Sequence, residues 1–507
     1  MFSLATGLSR VFGLVREMVA AYYFGAAGKI NSFTVAFQVP NLVRALVADA
    51  ALSSAFVPVF SDLLEKGERK RAWRVASSLF WLMLLGLGAL TSLFILVAPL
   101  LMRPFHPVDL DLTVGLSRVL FPTVALLGVS GIIVGILNSY DEFSIPALTP
   151  VLWNAAIIAG LALGVPHAHG ADGKLYVYAA SILVGTVLQV LLPIPWLRGR
   201  DDRLRLVIDW RDPAVAQTFK LMLPVTLGLG LINVNAVIDT LFASRLIDNQ
   251  LAPTAIDKAF RVYMLPQGVF SVAVATVLFP ALSRLASRRD IDGFRDTVGL
   301  GLRQIAFLLV PASVATAVLA EPMVRLLYQR GRFSPSQTAV VAGALAAFSL
   351  GLTFNGAMLM LNRAFFSLQS NWVPTVVALA NLAINAALDA AFFSFGFWGI
   401  PLATSLVNIA GTAALLVLLR RRIGRIEARE TGRAVALITA ASVVLAAVAW
   451  PVWDVLDGAL GRSTGAQILS LGVALAAGGA SYLLACKALK VRELEALLAL
   501  RTRFKRV

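Results

Sequence analysis

Cysteine is almost missing from this chain: Cys486 stands alone among 507 residues, so no disulfide can form within it. Histidine is scarce too. His106, His167 and His169 all fall between apolar runs, where an imidazole is more often solvated than a metal ligand. Charged residues make up 14% of the chain, against about 25% in soluble domains, which argues against a soluble globular protein. No G-x-x-x-x-G-K-[ST] sequence occurs, so no nucleotide-driven pump of that type is encoded. A membrane-embedded glycosyltransferase would need a catalytic carboxylate near an outer loop. Asp109, Asp111, Asp141 and Glu142 are the candidates, and they show no supporting motif. The sequence therefore predicts no enzyme. The start of the chain lacks a basic n-region with a short apolar core and a small-residue cleavage site, so it reads as a retained first transmembrane helix.

What is abundant is apolar sequence, 58% of the residues. Runs near the twenty or so residues that span a bilayer recur from end to end. They lie near 2–24, 31–60, 74–102, 113–139, 145–165, 177–197, 215–244, 256–283, 297–327, 336–368, 372–394, 397–419, 432–455 and 464–488. This pattern predicts an all-α polytopic membrane protein with about fourteen transmembrane helices. Pro40, Pro122, Pro224 and Pro266 sit inside these runs, as membrane bundles tolerate beside cavities.

Basic residues outnumber acidic ones by 44 to 28, a formal charge of +16. In a soluble protein that balance would suggest nucleic acid. Here the positive-inside bias explains it, and no nucleic-acid partner is expected. The strongly basic loops follow the second, sixth, eighth and twelfth segments: Lys66 to Arg71, Arg198 to Arg211, Arg284 to Arg295 and Arg420 to Arg433. The tail after the fourteenth adds Arg501, Arg503, Lys505 and Arg506, whereas loops after odd segments are poor by comparison, with Lys29, Arg103 and Lys174, and Arg330 and Arg332 as the largest cluster. Both termini are thus expected on the cytoplasmic side.

An internal repeat organises the chain. Residues 36–63 and 259–285 share AF-x-V-x-x-L at their start and P-x-x-S-x-L at their end. Leu137-Asn138, Pro146 and Asn154 are echoed by Leu361-Asn362, Pro374 and Asn381, an offset of about 222 residues that covers six helices. An even number gives both halves one orientation, as in parallel repeats about an axis along the membrane normal. The expected divisions are an N-lobe at 1–200 (helices 1–6), a C-lobe at 215–421 (helices 7–12), two extra helices at 432–490 and a basic cytoplasmic tail at 491–507.

The charges inside apolar runs mark the chemistry. The stretch from Ser9 to Pro58 carries Arg10, Arg16, Glu17, Arg44 and Asp49. A charge at the bilayer centre costs roughly 2.5–3.5 kcal/mol on insertion scales. Arg10 and Glu17 share a helix face, with Arg16 turned away by roughly 120°. Arg44 follows Pro40 by one turn, and Arg261 lies five residues before Pro266. Snorkelling would explain Arg10 or Arg261, and an internal ion pair with Glu17 or Asp49 would explain Arg44. Taken together, the four arginines point to a cavity for an anion, a phosphate or pyrophosphate, which guanidinium groups grip with two parallel bonds. In the second half, Asp239, Asn385, Asp389 and Thr404 supply oxygens suited to Na+ or a proton relay. Carboxylates near the outer ends of their helices, in water, are the competing explanation.

Three stretches carry a resemblance: SRVFGLVREMVAAYYFGA, SFTVAFQVPNLVRALVADAALSSAFVPVF and GILNSYDEFSIPALTPVLWN. With PQGVFSVAVATVLFPALSRL, they resemble the MurJ (MviN) lipid II flippases of the multidrug/oligosaccharidyl-lipid/polysaccharide exporter superfamily, essentially along the whole chain. The resemblance implies two six-helix lobes plus two helices that shape a groove for a lipid tail, here 432–490. It implies a monomer among membrane lipids of the bacterial cytoplasmic (inner) membrane, serving peptidoglycan biosynthesis. Lipid II, an undecaprenyl-pyrophosphate-linked saccharide-peptide, would pass from the inner to the outer leaflet by alternating access, without an organic cofactor and with Na+ or H+ coupling. The family's cavity arginines fall on Arg10, Arg16, Arg44 and Arg261, with Glu17, Asn31 and Asp49 as the cavity's acidic and polar residues. Two departures stand out. Asn31 replaces a frequent Asp, and Phe260 and Met264 replace acidic residues beside Arg261, which predicts a more purely cationic cavity. The alternative is an exporter of another polyprenyl-linked saccharide or of drugs in the same superfamily. A cationic drug, however, would want acids where this chain has arginines.

Overall fold

The computed structural model describes residues 2–47, 51–424 and 428–494. Asp49 and the basic tail from 495 onward lie outside the described residues. Among the described residues all regular secondary structure is helical, as expected where backbone groups must be satisfied without water.

Each of the fourteen expected segments falls on helix. Ten stretches among the described residues are long and apolar enough to cross a membrane. One of these, Trp372–Ile423, holds two helices in series across a 3-10 break at Phe393–Trp398. The first helix, α1 (Phe2–Phe24), is outside the ten because it carries Arg10, Arg16 and Glu17. Within the 31–60 segment the described residues form α2 (Ile30–Val47) and α3 (Ala51–Glu65).

The chain forms two compact units. The first runs to Thr254 and takes in Arg330–Phe333. Beyond α1–α3 it contains α4 (Arg69–Met102), α5 (Leu110–Leu120), α6 (Pro122–Ser139), α7 (Ser144–Gly164), α8 (Gly170–Leu191) and α9 (Pro213–Phe242). Helix α5 passes into α6 at Pro122, whose missing N–H is no loss at the first position of a helix. Several apolar clusters hold this unit, and two of them tie most of its helices together. Phe56, Phe60, Trp73, Leu79 and Ile136 join α3, α4 and α6. Ala20, Phe33, Leu116, Ile157 and Tyr178 join α1, α2, α5, α7 and α8. In the second cluster the Phe33 and Tyr178 rings stack at 4.2 Å.

The turn between α1 and α2 is built on glycine. Gly28 has φ +80, a conformation that costs other residues a Cβ clash, and its N–H donates to the Gln250 carbonyl at 2.7 Å. Gly331 is constrained from both directions. Its φ is +59, and a Cβ there would sit 2.3 Å from the Tyr22 carbonyl oxygen. That close approach lets the Arg332 N–H donate to the same carbonyl at 2.9 Å.

The second unit holds Ala255–Gln329 and continues from Ser334. Most of α10 (Ala252–Ser287) belongs to it, with α11 (Ile291–Val318), α12 (Ala320–Tyr328), α13 (Pro335–Ser367), α14 (Trp372–Phe392), α15 (Gly399–Ile423), α16 (Ala428–Leu460) and α17 (Thr464–Ala488). The two extra helices predicted at 432–490 are α16 and α17. They pack on α11 through Phe307, Ile438, Ala441, Leu445, Tyr482 and Cys486. The Tyr482 hydroxyl donates to the Phe307 carbonyl at 2.7 Å. Two ion pairs also tie this hairpin down: Arg325 on α12 with Asp457 on α16, and Arg303 on α11 with Glu493 beyond α17 at 3.2 Å.

Candidate functional site

In the first unit α1 presents Arg10 and Arg16 in different settings. Arg10 is exposed although it lies more than two turns into α1. Arg16 is 88% removed from solvent and donates through Nη2 to Glu17 Oε1 at 2.7 Å. Adjacent helix positions do not face each other, so this pair forms only because the long guanidinium side chain wraps back. The planar Arg16 group also lies over the Trp153 ring of α7, 4.7 Å from its centroid. That ring is itself fixed. Trp153 Nε1 donates to Thr186 Oγ1 on α8 at 3.1 Å, and Gly185 leaves room beside it, since a Cβ there would meet the Trp153 carbonyl oxygen at 3.1 Å. Trp153 was not among the expected site residues, although it adjoins Asn154, which the repeat singles out.

Arg44 sits on α2, one turn beyond Pro40. Its Nε and Nη2 donate to Asn41 Oδ1 at 3.2 and 2.9 Å. Asn31, expected to be a polar residue of the cavity, is buried at the start of α2 and engaged with backbone. Its Nδ2 donates to the carbonyls of Ala26, Gly28 and Gln250, and its Oδ1 accepts from the Thr254 N–H at 2.9 Å. An aspartate could supply none of the three donated bonds in its ionised form. An amide at this position therefore has a structural reason.

In the second unit Arg261 on α10 is half-buried and pairs with Asp257 one turn earlier, Nε to Oδ2 at 2.7 Å. Phe260 and Met264 do flank this arginine, yet a carboxylate is at hand. The i, i+4 spacing of Asp257 and Arg261 was the signal that went unused.

The oxygen-rich set divides between the units. On α9, Asn235 Nδ2 donates to both carboxylate oxygens of Asp239, at 3.3 and 3.2 Å. On α14, Asn385 Nδ2 donates to Asp389 Oδ2 at 3.0 Å. Asn385 and Asp389 are 1% and 0% exposed, so the placement of Asp389 in water at a helix end does not hold. Thr404, early in α15, has a buried Oγ1 with no hydrogen-bond partner. Buried carboxylate, amide and hydroxyl oxygens are the donors a hard cation takes. Among the described residues no group of three His, Cys, Asp or Glu side chains forms a metal centre.

Comparison with known proteins bears on the family and the fold. Residues 20–460 match the family model described as lipid II flippase MurJ. A probable lipid II flippase MurJ of Rhizobium meliloti (strain 1021) is 32% identical over 395 residues, covering 76% of this chain and 72% of that protein. The lipid II flippase MurJ of Burkholderia cenocepacia is 31% identical over 398 residues, covering 75% and 74%. Among solved structures, lipid II flippase MurJ in an inward closed conformation superposes with a TM-score of 0.78 at 23% identity, over 96% of this chain and 99% of that one. An inward-facing multidrug resistance MATE family transporter of the MOP superfamily gives 0.72 at 16% identity, over 82% and 94%. These two likenesses concern the fold; the sequence matches establish the kinship. This multi-pass membrane protein belongs to the lipid II flippase MurJ family.

Proposed function

We propose that this chain is a lipid II flippase of the bacterial cytoplasmic membrane that works by alternating access and catalyses no covalent chemistry. Arg10, Arg16, Arg44 and Arg261 bind the pyrophosphate of the head group, while the polyprenyl tail stays in lipid beside α16 and α17. The protein acts as a monomer with both termini cytoplasmic and binds no nucleic acid. The observation that carries the anion assignment is Arg16, a cation 88% withdrawn from solvent within an apolar helix. A charge held there costs several kcal/mol unless something anionic offsets it. Glu17 supplies that anion at rest, and the cargo competes for the same guanidinium. A Na+ ion or proton taken up by the buried oxygens of Asn385, Asp389 and Thr404, with Asp239, biases the cycle.

The test is complementation. In cells depleted of their own flippase, the wild-type chain restores growth and lipid II translocation. The Arg44→Ala and Arg261→Ala chains, expressed at equal level, do not. Normal growth with both variants overturns the arginine assignment, and a wild-type chain that moves no lipid II overturns the function. For the ion, transport falls when sodium is withdrawn or in Asp389→Asn; insensitivity to both removes that site.

A further inference from the structure

The segment joining α8 to α9 differs from the other loops. Residues 203–209 have no regular structure, yet they are pinned along α4. The Arg205 and Asp209 N–H groups donate to the hydroxyls of Ser77 and Ser78, each at 3.0 Å, and both serines are buried. The Arg205 carbonyl accepts from Trp81 Nε1 at 2.9 Å. The flanks are held as well, by Arg69 to Asp201 at 2.6 Å and Arg71 to Asp212 at 3.3 Å. Leu204 packs inward on the α3–α4–α6 core. A strap fixed this firmly would be expected to bury its apolar side chains, but it presents three of them outward at alternate positions. Leu206, Ile208 and Trp210 are 78%, 46% and 64% exposed, while Val207 and Asp209 between them are half-buried.

The level of the strap identifies what covers these side chains. Helix α4 carries Arg69, Lys70, Arg71 and Arg74 in its first turns and no charge from Val75 to Met102. That charge-free length is about 42 Å at 1.5 Å per residue, against a hydrocarbon core of about 30 Å. The hydrocarbon boundary must therefore fall within roughly eight residues of Arg74. Ser77, Ser78 and Trp81, where the strap is attached, occupy that window. Trp and Arg are the side chains suited to the boundary, with an amphipathic ring or an apolar stem ending in a polar group. Here the Arg211 guanidinium lies 5.1 Å over the Trp210 ring. The strap is nearly charge-balanced, because Asp201, Asp202, Asp209 and Asp212 offset most of its arginines. Apolar insertion rather than attraction to anionic lipid is what its composition favours.

We propose that residues 203–212 form an interfacial anchor, lying in the plane of the membrane with Leu206, Ile208 and Trp210 among the glycerol ends of the lipid acyl chains. It fixes the depth of α4 and the start of α9 in the leaflet.

The anchor is tested on the full-length chain in nanodiscs of phosphatidylethanolamine and phosphatidylglycerol. Subtracting the spectrum of Trp210→Phe isolates the Trp210 emission. That emission is lost when the acyl chains carry bromine near the glycerol, and it is insensitive to aqueous iodide. In a Cys486→Ser background, an environment-sensitive dye is attached through Leu206→Cys, Val207→Cys, Ile208→Cys or Asp209→Cys. Bromolipid quenching alternates, strong at 206 and 208 and weak at 207 and 209. Trp210 emission that ignores bromolipid and is quenched by iodide overturns the anchor and leaves a water-facing surface fit for a soluble partner. Uniform quenching along the four labelled positions overturns the fixed register.

Discussion

The two copies of AF-x-V-x-x-L place their charges on different turns. In the second copy Arg261 occupies the third position of the motif, where the first copy has Gln38. Asp257, its partner, stands where the first copy has Thr34. The first copy keeps that turn neutral: Thr34 shares a hydroxyl contact with Thr254 at 2.8 Å. Its own arginine comes two turns later, at Arg44, and bonds the neutral amide of Asn41. The two copies thus share a motif and differ in the neighbours their arginines bond: the Asn41 amide is one partner of Arg44, and the Asp257 carboxylate is one partner of Arg261. The amide leaves the charge of Arg44 unreduced by that neighbour, whereas Asp257 competes with any anionic cargo. Arg16 shows a third solution, a carboxylate on one side and an aromatic face on the other.

The largest effect is expected where the ring is removed. Trp153→Ala deletes a half-buried indole, and truncating a large core aromatic costs about 3 kcal/mol or more, part of which is the stacking on Arg16, about 0.5–2 kcal/mol. Trp153→Phe keeps a ring and gives up the bond to Thr186. Thermal unfolding in detergent should rank wild type, Phe and Ala in that order. Lipid II binding should fall in Trp153→Ala and largely recover in Trp153→Phe. Equal loss in both variants would assign the effect to packing and not to the face beneath the guanidinium.

Exchanging the partners tests the comparison directly. Asn41→Asp turns one acceptor of Arg44 from an amide into a carboxylate, and Asp257→Asn makes the reverse change beside Arg261. Each change is worth about 1 kcal/mol for a partly exposed pair, or roughly fivefold in Kd, with opposite signs. Pyrophosphate-containing lipid should bind more weakly to the first variant and more tightly to the second, by titration in nanodiscs. Shifts of the same sign would mean that these neighbours only shape the helices.

Much of this was legible without coordinates. The helical class follows from apolar runs of bilayer length, and the repeat and the arginines are visible in the letters. The neighbours were legible in part. Asp257 and Asn41 lie four and three residues from their arginines, a spacing that places them on one face. Trp153 was not legible, because it reaches Arg16 only through the packing of α7 against α1. The partners of Asn31 were not legible for a related reason. Its three carbonyl partners lie in the α1–α2 turn and at Gln250, and no local pattern connects those sites. Periodicity reports which face a residue occupies; it does not report what the opposite surface offers.

The smallest effect separates the N-terminal ends of the two helices that carry the copies. Ahead of α2, Lys29 pairs with Asp172 at 2.7 Å and with Asp109 at 3.3 Å. Asp109 also caps α5, accepting from the Leu112 N–H at 3.0 Å. The cap first, and Lys29 second, hold the Asp109 carboxyl below the usual carboxylate range. Chiefly through its bond to Asp172, Lys29 is pushed above the ordinary lysine range. The signs then fix a window. A depressed carboxyl stabilises the fold above its unfolded value, about 3.9, and that contribution is lost as pH falls through the folded value. A raised lysine contributes in full below its unfolded value, about 10.4, and the contribution is lost only as pH rises through the folded one. Between about pH 5 and 9 the network should therefore contribute a constant amount. Lys29→Met should lower the midpoint of thermal unfolding slightly and evenly across that range, and the gap from wild type should narrow in acid as Asp109 takes up a proton. The start of α10, where Asn31 Oδ1 accepts from the Thr254 N–H, contains no titrating partner in that bond. An Asn31→Ala variant should accordingly show a deficit that does not change with pH. If the two variants share one pH profile, the ion network and the amide do not act separately on the N-terminal ends of α2 and α10.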